Sequence, residues 1–224
     1  MITPHALSLP LQVLNLLAAL LLLLTFAMLG QRRIISLIYL FTLHGATLVA
    51  ASLVVAFMSN DHHLLISAAM TLMLKVIVIP LILHRLVVRL NVKWDVEPLI
   101  NVPLTMLIGI VLVIIAFNLA LPISRLSTAV AHGSLGIALA CILLSFMMMI
   151  TRSKAIPQVI GFLSIENGLF FAATTATSGM PMIVELGVAL SVLGGILILG
   201  VFMFQIREQF ENMDIHNLEK LKDD

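Results

Sequence analysis

The sequence predicts an all-α polytopic membrane protein with seven transmembrane helices, arranged as two parallel three-helix repeats joined by a connector helix. Three observations carry this expectation. Of the 224 residues, 61% are hydrophobic and 10% charged, and the mean hydropathy is +1.18, so the chain lacks the polar surface of a soluble globule. Apolar runs of about 20 residues, the length that crosses a hydrocarbon core, recur along its whole length. An ungapped shift of 122 residues lays the first three runs over the last three.

The runs cover residues 11–30, 34–57, 63–83, 99–120, 128–150, 155–177 and 182–206. No basic region precedes the first run, and Arg32 and Arg33 follow it, so it reads as a retained span, not a signal peptide. Residues 84–98 and the tail 207–224 are the longest polar stretches and leave no room for an extramembrane catalytic domain. Under this arrangement ten of the twelve basic residues fall on the side of the C-terminus, with Arg125 opposite and Lys75 inside a span. The N-terminus is therefore expected outside and the tail in the cytoplasm. The net charge of +1 points to no nucleic acid partner. The one cysteine, Cys141, lies within a span and suggests neither a disulfide nor a thiol metal site.

The repeat divides the chain into residues 1–94, the first three-helix unit; 95–127, the connector; 128–206, the second unit; and the tail 207–224. Ile34, Ile38 and Arg85 fall on Ile156, Ile160 and Arg207, and the basic turns and short outer turns fall in register. Four crossings separate the two unit starts, so the units are parallel, unlike the inverted repeats of many transporters. Two unrelated sets of similarly spaced helices would give a weaker version of the same pattern.

Charge inside the spans is the chemical signal. Lys75 and Glu166 each lie about halfway along an otherwise uncharged run. A charged side chain at mid-depth costs about 3 kcal/mol on insertion scales, so such residues face the protein interior and often mark ion or proton paths. Glu166 is eleven residues past Ala155, with Asn167 beside it. Lys75 follows Thr71 and Ser67 at i−4 and i−8, and Pro80 predicts a kink just beyond. His44 sits at mid-depth in the second span and Glu185 near the start of the last, after Pro181. The repeat register sets His44 opposite Glu166 and His63 opposite Glu185, whereas Lys75 falls on Leu197. Each of the four has a structural reading as well: an ion pair that only fixes helix register, a packed histidine, an interfacial carboxylate.

Metal and nucleotide chemistry find no support. Asp61, His62 and His63 are consecutive and lack a spaced partner. No glycine-rich phosphate loop or nucleophile elbow occurs. Gly194, Gly195 and Gly200 read as a close-packing face, and the tail, with Phe210, Met213, Leu218 and Leu221 on one helical face, as a segment that docks on a partner or stays solvated.

The stretches LLISAAMTLMLKVIVIPLIL, IGFLSIENGLFF, PMIVELGVAL and MDIHNLEKLK resemble hydrogenase-4 membrane component E, the small membrane subunit of formate hydrogenlyase-type complexes. That family is in turn similar to the three-span K subunit of bacterial complex I, and TRSKAIPQVIGFLSIENG resembles its second span, with Glu166 at the position of its first carboxylate. The second carboxylate has no counterpart, since Gly194 stands near the expected depth and Glu185 lies further out. The resemblance implies a non-catalytic subunit of a respiratory or hydrogenase-type complex that continues an intramembrane line of charged groups. The residues expected to carry a proton or sodium path here are Glu166, Lys75, His44 and Glu185, and the alternatives are a structural scaffold subunit without such a path and a freestanding secondary transporter. The resemblance also implies antiporter-like membrane partners and peripheral redox subunits. Nickel-iron and iron-sulfur centres would belong to those partners, with no cofactor in this chain.

Overall fold

The computed structural model describes residues 9–59, 62–89, 100–124, 131–177 and Gly200. In order, they form α1 (Leu9–Gly30), α2 (Ile34–Ser59), α3 (His62–Thr71), a π-helical segment (Leu72–Val78), α4 (Ile79–Arg89), α5 (Val102–Ser124), α6 (Ala131–Thr151) and α7 (Ala155–Thr177). Because α3, the π segment and α4 are continuous, the described residues hold six helical rods long and apolar enough to cross a membrane. The described part is thus an all-α, multi-pass membrane protein. The six rods match the first six predicted spans; the seventh, residues 182–206, lies outside the described residues except for Gly200, as does the tail.

Two helical hairpins form the centre. The turn between α1 and α2 is closed by Gln31, whose Oε1 accepts from the Arg32 backbone N–H at 3.0 Å. At the turn between α6 and α7, Gln158 Nε2 donates to the Arg152 carbonyl at 2.7 Å. Arg152 then crosses between the hairpins, donating from Nη2 to the Leu29 carbonyl at 2.6 Å. Both turns therefore lie at one end of the bundle, and α2 and α7 both lead away from it. Arg152 is fully buried, at the carbonyl ends of α1 and α6, where two helix dipoles favour a cation. Burial first, and the charge of Arg32 second, hold its pKa below the ordinary arginine value.

Packing explains these placements. At the end with the turns, Met28, Leu37, Phe41, Leu83, Leu144 and Ile160 belong to one apolar cluster shared by α1, α2, α4, α6 and α7. Toward the other end, Leu14, Leu21, Leu48, Val55, Phe170 and Phe171 belong to a second. Close helix approach relies on glycine: a Cβ on Gly161 would stand 3.1 Å from the Met149 backbone N and 3.2 Å from its Cα. In a bilayer, where lipid is as apolar as leucine, such small-residue contacts replace the hydrophobic drive between helices. α5 packs least inward, with Leu107, Ile110, Ile114 and Leu121 exposed on its surface.

The third span differs from its expectation in two ways. It runs to Arg89 instead of ending at Leu83, because Leu83 and Val87, at i and i+4, are both buried and carry the helix past His84 and Arg85. In place of a simple kink at Pro80, the helix widens ahead of it, and the Ile79 N–H reaches back five residues to the Leu74 carbonyl. Pro80 has no N–H to donate and its ring crowds the preceding turn, and a π-type widening is one way a helix absorbs that.

A candidate proton-handling site at mid-depth

Lys75 and Glu166 meet directly. Lys75 Nζ lies 2.9 Å from Glu166 Oε1, with side-chain exposures of 2% and 13%. The π segment carries Lys75 at its centre, and α2 approaches that backbone at Gly45, where a Cβ would stand 3.5 Å from the Lys75 carbonyl oxygen. Lys75 Nζ also lies 5.3 Å from the centroid of the Phe170 ring, one turn beyond Glu166, within cation–π range.

The ion pair is close but poorly satisfied. The Nζ to Oε1 contact lacks hydrogen-bond alignment, and among the described residues both Lys75 Nζ and Glu166 Oε2 are buried without a hydrogen-bond partner. A pair that serves only to staple helices needs its remaining donors and lone pairs satisfied to offset the cost of desolvation. This pair retains an oxygen that can accept a proton and a nitrogen with donors to spare.

His44 stands beside it and is fully engaged. Thr25 Oγ1 commits its proton to the Leu21 carbonyl at 2.8 Å, so toward His44 it can only accept, from Nε2–H at 3.1 Å. Asn167 Nδ2 then donates to His44 Nδ1 at 3.1 Å. These roles describe a neutral imidazole protonated on Nε2, which ties α1, α2 and α7 together. Among the described residues, the Asn167 Oδ1 atom is left buried without a hydrogen-bond partner.

Three of the four predicted site residues therefore form one layer: Lys75 and Glu166 in contact, and His44 joined to Asn167, the neighbour of Glu166. Glu185 lies outside the described residues. Thr25 and Phe170 were not singled out in the sequence. Phe170 had a signal, being four residues after Glu166, but Thr25 had none, since nothing in an apolar helix shows which threonine faces a neighbour's histidine. Among the described residues, no group of three His, Cys, Asp or Glu side chains is placed to hold a metal ion.

A second cross-link echoes the first. Ser145 Oγ donates to Ser164 Oγ at 2.9 Å between α6 and α7, with the same separation of 19 residues as Thr25 and His44. The two pairs are offset by 120 residues, two fewer than the 122 of the sequence register, which sets His44 on Glu166 and not on Ser164.

Comparison with known proteins places the chain in a family. It is 31% identical over 194 residues to the uncharacterized protein Rv0085 of Mycobacterium tuberculosis, covering 86% of this chain and 88% of that protein. The chain belongs to the same family as that protein. It is also 21% identical over 159 residues to hydrogenase-4 component E of Escherichia coli, covering 71% of this chain and 74% of the relative, and matches hydrogenase-4 component E of Shigella flexneri to the same extent. No protein-family model and no solved structure matches the chain.

Proposed function

We propose that this chain is a non-catalytic membrane subunit of a hydrogenase-4-type or related complex I-like respiratory complex, in which Lys75 and Glu166 handle protons during redox-coupled ion movement. The observation that carries the reading is the buried ion pair with an unsatisfied carboxylate oxygen and ammonium at membrane mid-depth. Intramembrane ionisable residues that face the bundle interior mark ion or proton paths by default. The distant likeness to hydrogenase-4 component E agrees with this assignment. Antiporter-like membrane subunits and peripheral redox subunits are the partners it calls for, and the ion is H⁺ or Na⁺.

The test is Glu166→Gln in the intact complex. Translocation in everted membrane vesicles should fall while the complex still assembles; undiminished pumping by an assembled variant would refute the proposal. His44 favours a second, structural reading, because both ring nitrogens are committed to Thr25 and Asn167. Its part in a path is therefore the weaker proposal, and Glu185 remains one on sequence grounds. Seven spans, two parallel repeats and a cytoplasmic tail complete the proposed arrangement. Fluorescence of a C-terminal green fluorescent protein fusion, which requires a cytoplasmic tail, tests the topology.

A further inference from the structure

Each of the three ionisable residues in the mid-depth layer has a buried hydroxyl eight residues away on its own helix, always toward the same end of the bundle. Ser52 follows His44 on α2, Thr174 follows Glu166 on α7, and Ser67 precedes Lys75 on the third span. The directions agree because α2 and α7 lead away from the basic turns while the third span returns toward them. Eight residues of helical rise place these hydroxyls about 12 Å from the ion layer. Ser52, Ser67 and Thr174 are 0%, 3% and 1% exposed. Thr71, equally buried, lies halfway along the third span between the two layers.

Thr174 distinguishes this layer from ordinary helix-bound hydroxyls. A threonine in an apolar helix normally bonds back to the carbonyl four residues earlier, as Thr25, Thr47, Thr151 and Thr175 do. Among the described residues, Thr174 Oγ1 is buried with no hydrogen-bond partner. Ser52 donates to the Leu48 carbonyl at 2.9 Å and so keeps lone pairs free to accept. A buried hydroxyl without a partner is costly, and small polar groups gathered in an apolar interior are where ordered water binds. Apolar clusters flank the ion layer on both sides, with Met28, Phe41, Leu83, Leu144 and Leu163 toward the basic turns and Leu48, Val55, Phe170 and Phe171 on the side of these hydroxyls. The direction therefore rests on the buried hydroxyls themselves.

We propose that Ser52, Ser67 and Thr174 form a second polar station, occupied by water, which connects the Lys75–Glu166 pair to the end of the bundle opposite the Arg32 and Arg152 turns. This rests on the proton-handling reading of that pair. A proton moving along the column passes between water oxygens and Glu166 Oε2, and no electron moves with it. Thr71 bridges the interval, and Thr174 positions water without itself being the proton acceptor.

Two measurements test the station. In native membranes carrying the full chain with Cys141→Ala, Thr174→Cys and Ser52→Cys should react with a small, charged, impermeant thiol reagent added from the side opposite the basic turns. Their rates should exceed that of Leu163→Cys in the apolar cluster by about tenfold, since charged reagents reach intramembrane positions only along water-lined surfaces. Rates as low as that of Leu163→Cys would overturn the proposal. In the assembled complex, Thr174→Val should slow translocation roughly fivefold to tenfold, the scale of one lost hydrogen bond, and Thr174→Ser should restore it. Normal translocation in Thr174→Val, alongside loss in Glu166→Gln, would overturn the station and leave the pair's role intact. Normal translocation in Glu166→Gln would instead remove the proton-handling reading, and the labelling rates would still decide whether the station is wet.

Discussion

Removing one partner of the Lys75–Glu166 pair should cost far more than removing both. At 2.9 Å, an effective dielectric of about 20 gives an attraction of about 6 kcal/mol. Desolvation offsets most of this, at several kcal/mol for each ion, so the pair contributes little net stability. Lys75→Met leaves a buried carboxylate with no cation, and Glu166→Gln leaves a buried ammonium with no anion, each costing about 3–5 kcal/mol if the remaining charge persists. The double variant removes both charges at nearly constant volume and should cost below about 2 kcal/mol. The assay is a double-mutant cycle on unfolding in mild detergent, with assembly of the complex followed in parallel. The cycle should return a coupling of at least about 2 kcal/mol, the double variant being more stable than either single one. Additive losses would show that the two groups do not act as a pair and would refute the reasoning.

Other outcomes follow from single contacts. Gly161→Ala should lower the melting temperature through overpacking of about 1–3 kcal/mol, because the crowded atoms are the Met149 backbone. Gly133→Ala should leave it unchanged or slightly raised, since among the described residues nothing lies within 4 Å of its Cβ position and alanine is the better helix former; equal effects in thermal unfolding would contradict the α6–α7 packing. Asn167→Leu orphans His44 Nδ1 and should cost about 1–3 kcal/mol, and Thr25→Val, which removes the acceptor of Nε2–H, should do the same. If either variant is as stable as the parent, the imidazole is not held as described. A Ser145→Ala, Ser164→Ala cycle should report a coupling of about 1 kcal/mol for the 2.9 Å bond between them, measured by unfolding in detergent.

How much of the site the sequence contained depends on the residue. Lys75, Glu166 and His44 stood out because ionisable groups are rare in apolar runs, and their depth followed from counting along a helix. That count also made contact between Lys75 and Glu166 conceivable, since both lie near mid-depth. The π segment was announced only as Pro80, because proline specifies that a helix must adjust and not how. Thr25 and Thr174 were invisible for a common reason. Hydroxyls are frequent in membrane helices and usually bond to their own backbone, so only coordinates distinguish the one that reaches His44 and the one that bonds to nothing.

Composition and spacing by themselves determined that this is a helical, multi-pass membrane protein, where the six described spans run to within about six residues, and that Lys75, Glu166 and His44 lie within them. Burial of about 20 apolar residues per crossing is a one-dimensional requirement, so a one-dimensional sequence states it fully. Only the tertiary structure decided which faces meet. In a soluble helix a polar stripe marks the outside, but here lipid and core are both apolar and the helices carry no such stripe. The choice of neighbours then falls to close glycine contacts such as Gly161 and to single polar bonds such as Thr25 to His44. Those are what bring Lys75 to Glu166, and no periodicity in the chain records them.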